Sequence, residues 1–107
     1  MEKVLGKIKT AEYGTVGGYP FLFGLSLEFS MESGGVGDGG RYAFNISSEC
    51  KWDKQERSET IVKSVEKVAE ILKAAKVDYV SQLVGKPVEI TLDRNWFEDF
   101  RILTEVL

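Results

Sequence analysis

The chain has 107 residues, 43% of them hydrophobic and 29% charged, which is enough for one compact domain and too few for two. Fourteen basic side chains against seventeen acidic ones leave a net charge of −3, so no global positive field exists to collect a phosphate backbone, and general nucleic-acid binding is disfavoured. The absence of histidine and the presence of a single cysteine remove His-based acid–base chemistry, Ser-His and Cys-His nucleophile pairs, and zinc sites built from His or several Cys. Most familiar catalytic constellations are thus unavailable, and no cofactor or metal is expected.

Residues 3–15 carry Val4, Ile8 and Tyr13 among Lys and Glu, a broken alternation that predicts a strand with one solvated face and a bulge at Gly6. Gly14-Thr15-Val16-Gly17-Gly18-Tyr19-Pro20 supplies the chemistry of a hairpin turn. Phe21, Phe23, Leu25, Leu27, Phe29 and Met31 then recur at every second position, the pattern of a half-buried strand. The segment 34–40 holds five glycines in seven residues and reads as a loop, too flexible for a strand interior. After it, Tyr42, Phe44 and Ile46 alternate with polar or small residues in a third strand that pairs back on the second.

Asp53 and Glu56 have capping-box spacing. From there Ile61, Val65, Val68, Leu72 and Ala75 recur at intervals of four and three, widened by Val62, Ala69 and Ile71. This predicts a helix over 54–75, roughly 33 Å long, whose apolar stripe forms the other half of the core. One more helical turn follows over 77–83, with Val80 and Leu83 inward, stopped by Gly85 and Pro87. Val88, Ile90 and Leu92 form a strand, Asp93-Arg94-Asn95 a turn, and Phe100, Ile102, Thr104 and Val106 a closing strand. The fold class is therefore α+β: a single antiparallel sheet of about five strands, β-β-β-α-β-β, with one long helix packed across one face. The other face is left open and presents Leu22, Leu103 and Leu107, so a homodimer or larger assembly is expected to close part of it.

The glycine segment with Arg41 after it is the most suggestive binding feature. Bare N–H groups at Gly35 and Gly37, beside Asp38, can curl around a phosphate that Arg41 then clamps. Against this stands an ordinary hairpin loop, since the Gly-Lys-Ser/Thr ending of a phosphate loop is missing. Tyr19 offers a stacking platform for a base or else packs on the sheet rim. Trp52 contributes to binding or staples the helix entry. Arg57 and Arg101 join Arg41 and Arg94 as the only guanidiniums, any of which reads equally as solvated surface charge. The carboxylates have no metal-loop spacing, and Cys50 reads as packing. The candidate ligand-binding set is Tyr19, Gly35, Gly37, Asp38, Arg41, Trp52, Arg57 and Arg101.

One cysteine cannot close an internal disulfide, and no charged start followed by an apolar run marks a signal peptide, so a reducing cytoplasm is expected. The longest apolar runs fall far short of the ~20 residues that span a bilayer, and no membrane partner is expected.

Across nearly the whole chain, Gly18-Tyr19, Gly24-Leu25-Ser26, Gly35-Val36-Gly37-Asp38, Lys51-Trp52 with Arg57, Ala75-Lys76-Val77-Asp78, Gly85-Lys86-Pro87-Val88-Glu89-Ile90-Thr91 and the terminal Arg101-Ile102-Leu103-Thr104-Glu105-Val106-Leu107 form a pattern. It resembles a family of small proteins encoded by tailed bacteriophages. The resemblance implies expression in the cytoplasm of an infected bacterial host and a role dispensable for building the virion. By analogy of class, it implies a counter-defence protein that sequesters a host immune nucleotide signal, of the cyclic ADP-ribose or cyclic dinucleotide type, without cleaving it. The alternative is a protein-binding inhibitor of a host defence nuclease or CRISPR effector. An enzyme that cleaves such a signal with carboxylates and a metal ranks last.

Overall fold

A computed structural model describes residues 1–47 and 53–107. Strands β1 (Glu2–Val16) and β2 (Tyr19–Met31) form a long antiparallel hairpin turned at Gly17-Gly18. The short strands β3 (Gly34–Gly37) and β4 (Ala43–Asn45) both pair with β2, one against each half of it. Helix α1 (Lys54–Ala75) follows, then a 3-10 turn at Val80–Leu83 and the hairpin β5 (Pro87–Asp93) and β6 (Trp96–Ile102). The sheet runs β3-β2-β1-β5-β6, with β4 beside β2, and every pairing is antiparallel. The α+β class and its single antiparallel sheet are as expected, with six strands instead of about five.

Bulges interrupt the pairing of both the first and the last strand, and the one in β1 accounts for the broken alternation of residues 3–15. In β1, Ile8 faces Phe29 and Thr10 faces Glu28, so Lys9 is the extra residue, and Ala11 and Tyr13 fall opposite Leu27 and Leu25. The bulge therefore lies at Lys9 and not at Gly6. Gly6 answers a different need: a Cβ there would stand 2.5 Å from the Ser30 carbonyl oxygen and 2.9 Å from the Ile90 side chain. In β6 the register shifts between the partners of Thr91 and Leu92, and this turns both Phe97 and Phe100 inward. Arg94 and Asn95 close the β5–β6 hairpin with φ of 52° and 70°, the positive pair that matches the twist of two-residue hairpins.

The core lies on one face of this sheet: Ile8, Leu25, Leu27, Phe29, Val88, Ile90, Leu92, Phe97, Phe100 and Ile102, closed by Leu83, Ile71 and Ala75. The sheet curls enough to bring its distant edges together, since Phe29 of β2 stacks on Phe97 of β6 with centroids 5.3 Å apart. The segment after β3 reaches the same edge, where Arg41 pairs with Glu98 at 3.7 Å. The opposite face stays open, with exposed Leu5 beside Lys3, Glu89 and Arg101 in one chain of ion pairs, and with Thr10 bonded to Glu28.

Three expectations are corrected. Gly34–Gly37 is a strand, because pairing with β2 supplies the order that glycine lacks alone. The closing strand ends at Ile102, and Thr104–Val106 is a 3-10 turn instead of a continuation. Helix α1 has the expected bounds, with Asp53 Oδ1 accepting from the Glu56 N–H at 2.8 Å and Lys76 in the left-handed conformation at its end. Its stripe, however, serves the core only in part: Ile71 and Ala75 are buried, whereas Val62 and Val65 are more than half exposed.

Candidate functional site

The site grows out of one buried carboxylate. Asp38 is 7% exposed, the only buried charged or polar side chain among the described residues. One of its oxygens accepts the Leu27 N–H of β2 and the other the Gly40 N–H, both at 2.9 Å. The Asp38 amide in turn donates to the Leu27 carbonyl at 3.1 Å. Its carboxylate thus replaces a strand partner where β3 ends, and it fixes the turn that delivers Arg41 and Tyr42. Arg41 and Ala43 complete that turn by donating to the carbonyls of Asp38 and Gly40.

Tyr42 lies edge-on to Phe97 and Phe100, with centroids 6.2 and 6.0 Å away, and Arg41 stands 5.9 Å above the Phe97 ring. Gly24 of β2 permits the approach, because a Cβ there would meet the Tyr42 carbonyl oxygen at 2.6 Å. Across from this turn, α1 presents Thr60, Lys63, Ser64, Lys67 and Val68 at the spacing of one helical face. The two elements enclose a cavity of about 220 Å³, walled by these residues with Arg41, Tyr42, Ala43 and Phe44.

The electrostatics are unbalanced within that cavity. Arg41, Lys63 and Lys67 surround it with three cations, and among the described residues no carboxylate lines it. Lys63 has no ion-pair partner among the described residues, and the pairs of Arg41 with Glu98 and Lys67 with Glu70 are both 3.7 Å, solvent-exposed and weak. Tyr42 Oη and Ser64 Oγ are buried without a hydrogen-bond partner among the described residues, a state that costs about 1–3 kcal/mol for each such group. Burial raises the Tyr42 phenol above its ordinary pKa, with the Asp99 and Asp38 carboxylates adding to it and Arg41 opposing. The phenol is therefore a neutral donor at physiological pH. A neighbouring hollow shares Arg41, Tyr42 and Lys67 but adds Glu98 and Asp99, so an anionic group is favoured on the helix side and disfavoured beyond it.

Of the residues singled out in the sequence, only Arg41 lines this cavity. Gly35 and Gly37 are paired against Ser30 and Glu28 of β2, so the segment runs straight instead of curling around a phosphate. Asp38 supports the site from within, its oxygens committed to backbone amides. Arg57 donates to the Ile46 carbonyl at 3.0 Å and ties the helix start to the end of β4. Arg101 lies on the open sheet face, gripping Glu105 at 3.1 Å and Glu89 at 3.2 Å. Those two hydrogen bonds, Glu105 first, raise its pKa further. Tyr19 is at the exposed hairpin tip, edge-on to Phe21. Trp52 and Cys50 lie outside the described residues.

The sequence reading missed Tyr42, Thr60, Lys63, Ser64 and Lys67. A signal existed: Thr60, Ser64 and Lys67 follow i, i+4, i+7 spacing beside the apolar stripe, a polar seam where a wholly core-facing helix would be aliphatic. Among the described residues, no group of three metal-ligating side chains is gathered, and no helix is long and apolar enough to cross a membrane. Compared with known proteins, the chain matches no family model, no curated protein and no solved structure.

Proposed function

We propose that the protein captures a small phosphate-bearing molecule in the cleft between α1 and the β3–β4 turn and holds it without cleaving it. The observation that carries this reading is the gathering of Arg41, Lys63 and Lys67 around one cavity whose lining residues include Tyr42 and Ser64, each with a buried hydroxyl that has no partner among the described residues. A phosphoryl group is the ligand chemistry that answers both features. Its charge suits three cations, and its oxygens accept from Tyr42 Oη and Ser64 Oγ once those side chains turn toward it.

At about 220 Å³ the cavity is smaller than the ~300–1,000 Å³ of drug-sized sites, so it suits the phosphate and sugar portion of a nucleotide. A base then extends toward the hollow that shares Arg41 and Tyr42. The host immune nucleotide signals implied by the phage resemblance belong to this ligand class, and sequestration requires only tight, preorganised binding.

Calorimetric titration of the full chain with AMP, and separately with inorganic phosphate, tests the proposal. Saturable binding of AMP that is lost in Lys63→Glu and kept in Arg101→Ala supports it. No heat with either probe, or binding indifferent to Lys63, overturns it.

A further inference from the structure

The apolar stripe of α1 is wider than the sheet can cover, and what remains exposed has a regular form. Val62, Val65 and Ala69, all exposed, and Leu72, half-buried against the core, follow one another at spacings of three, four and three, with Ser58 and Lys76 continuing the series at either end. Val62 and Val65 are 53% and 54% exposed. The two halves of this seam differ. Toward the C-terminal half, Tyr13, Tyr79 and Val80 rise beside Val65, Ala69 and Leu72 to make an apolar groove. Toward the N-terminal half, Ile61 and Val62 protrude, and among the described residues none from outside the helix joins them as a wall of that groove.

We propose that a second copy of this chain docks here, its α1 antiparallel to the first, so that the protruding half of each helix fills the groove of the other. The charges beside the seam favour this occupant. An antiparallel pairing that sets Val62 opposite Leu72 and Val65 opposite Ala69 brings Glu59 of one copy beside Lys73 of the other, twice by symmetry. Both side chains are exposed, and Lys73 has no ion pair among the described residues of its own chain. Glu66 meets its own copy at the axis, where both carboxylates remain in water. Tyr79, 70% exposed in the single chain, is covered by Ile61 and Val62 of the second copy. The proposed ligand cleft is lined by Thr60, Lys63, Ser64 and Lys67, on a different side of α1, and stays open in the pair. The two proposals therefore fail independently.

Sedimentation of the full chain across micromolar concentrations decides the matter. A reversible dimer is expected, with Val65→Glu monomeric at every concentration while its circular dichroism is unchanged. Glu59→Lys weakens the dimer by about tenfold, and adding Lys73→Glu restores it; Glu66→Gln tightens it. A monomer throughout, a dimer that ignores Val65→Glu, or a charge swap that fails to restore association overturns the proposal. In the monomeric case the groove is left for a partner of another kind.

Discussion

The cleft beside α1 and the open face of the sheet both carry charged side chains, yet they treat them in opposite ways. On the open face the charges satisfy one another: Lys3 meets Glu89, Glu89 meets Arg101, and Arg101 reaches Glu105. In the cleft three cations lie together beside Tyr42 and Ser64, whose buried hydroxyls have no partner among the described residues. Self-paired charge keeps a sheet face soluble and discourages another chain from adding to it. Unbalanced charge beside unsatisfied donors is costly to keep, and that cost is offset only by something that binds there. Arginine content therefore says little about a site; what sets the cleft apart is that Lys63 has no carboxylate among the described residues, and that the pairs of Arg41 and Lys67 are long and exposed.

The largest expected effect comes from removing what holds the cleft in shape. Asp38→Ala leaves the buried Leu27 amide without an acceptor and frees the turn carrying Arg41 and Tyr42. A loss of about 2–4 kcal/mol is expected in urea unfolding, together with loss of ligand binding. Asp38→Asn, which keeps one carbonyl acceptor, is expected to fall between. An unchanged midpoint for Asp38→Ala breaks the account of the site. Next in size, Lys63→Glu reverses a cleft charge with no partner to lose, so binding of AMP falls by at least about tenfold while the unfolding midpoint hardly moves. The same reversal on the open face, Arg101→Glu, leaves binding intact.

How much of this was legible follows from which forces act locally. The bounds of α1 were readable because the Asp53 cap and the 3.6-residue periodicity are properties of neighbouring residues. The alternation of β2 was readable for the same reason, as Leu25, Leu27 and Phe29 all face the core. The glycine strand was not, since β3 exists only through its pairing with Glu28, Phe29, Ser30 and Met31. Nor was the cleft, because Lys63 and Arg41 are far apart in sequence and meet only when the sheet curls and α1 lies alongside. Asp38 and Arg41 were picked for their residue types. Folding kept Arg41 at the cavity and drew Asp38 inside, where its carboxylate works on the backbone instead of on a ligand.

The smallest effect is also the sharpest, because its sign runs against intuition. Tyr42→Phe removes a buried hydroxyl that has no partner, so the free protein is expected to gain about 1 kcal/mol or to stay level instead of losing stability. The folded phenol is held above its unfolded pKa by burial first, then by Asp99 and Asp38. Its neutral form is thus favoured by folding, and the resulting stability is intact below about pH 10 and declines as pH rises beyond that. Wild type should lose stability in alkali faster than Tyr42→Phe. If the hydroxyl serves a bound phosphate, the same substitution weakens AMP binding while strengthening the fold, and thermal denaturation with and without AMP reads both at once. A variant destabilised in the free state would mean that Tyr42 Oη already has a partner in solution, and the cleft would lose one of the two donors that set it apart from the open face.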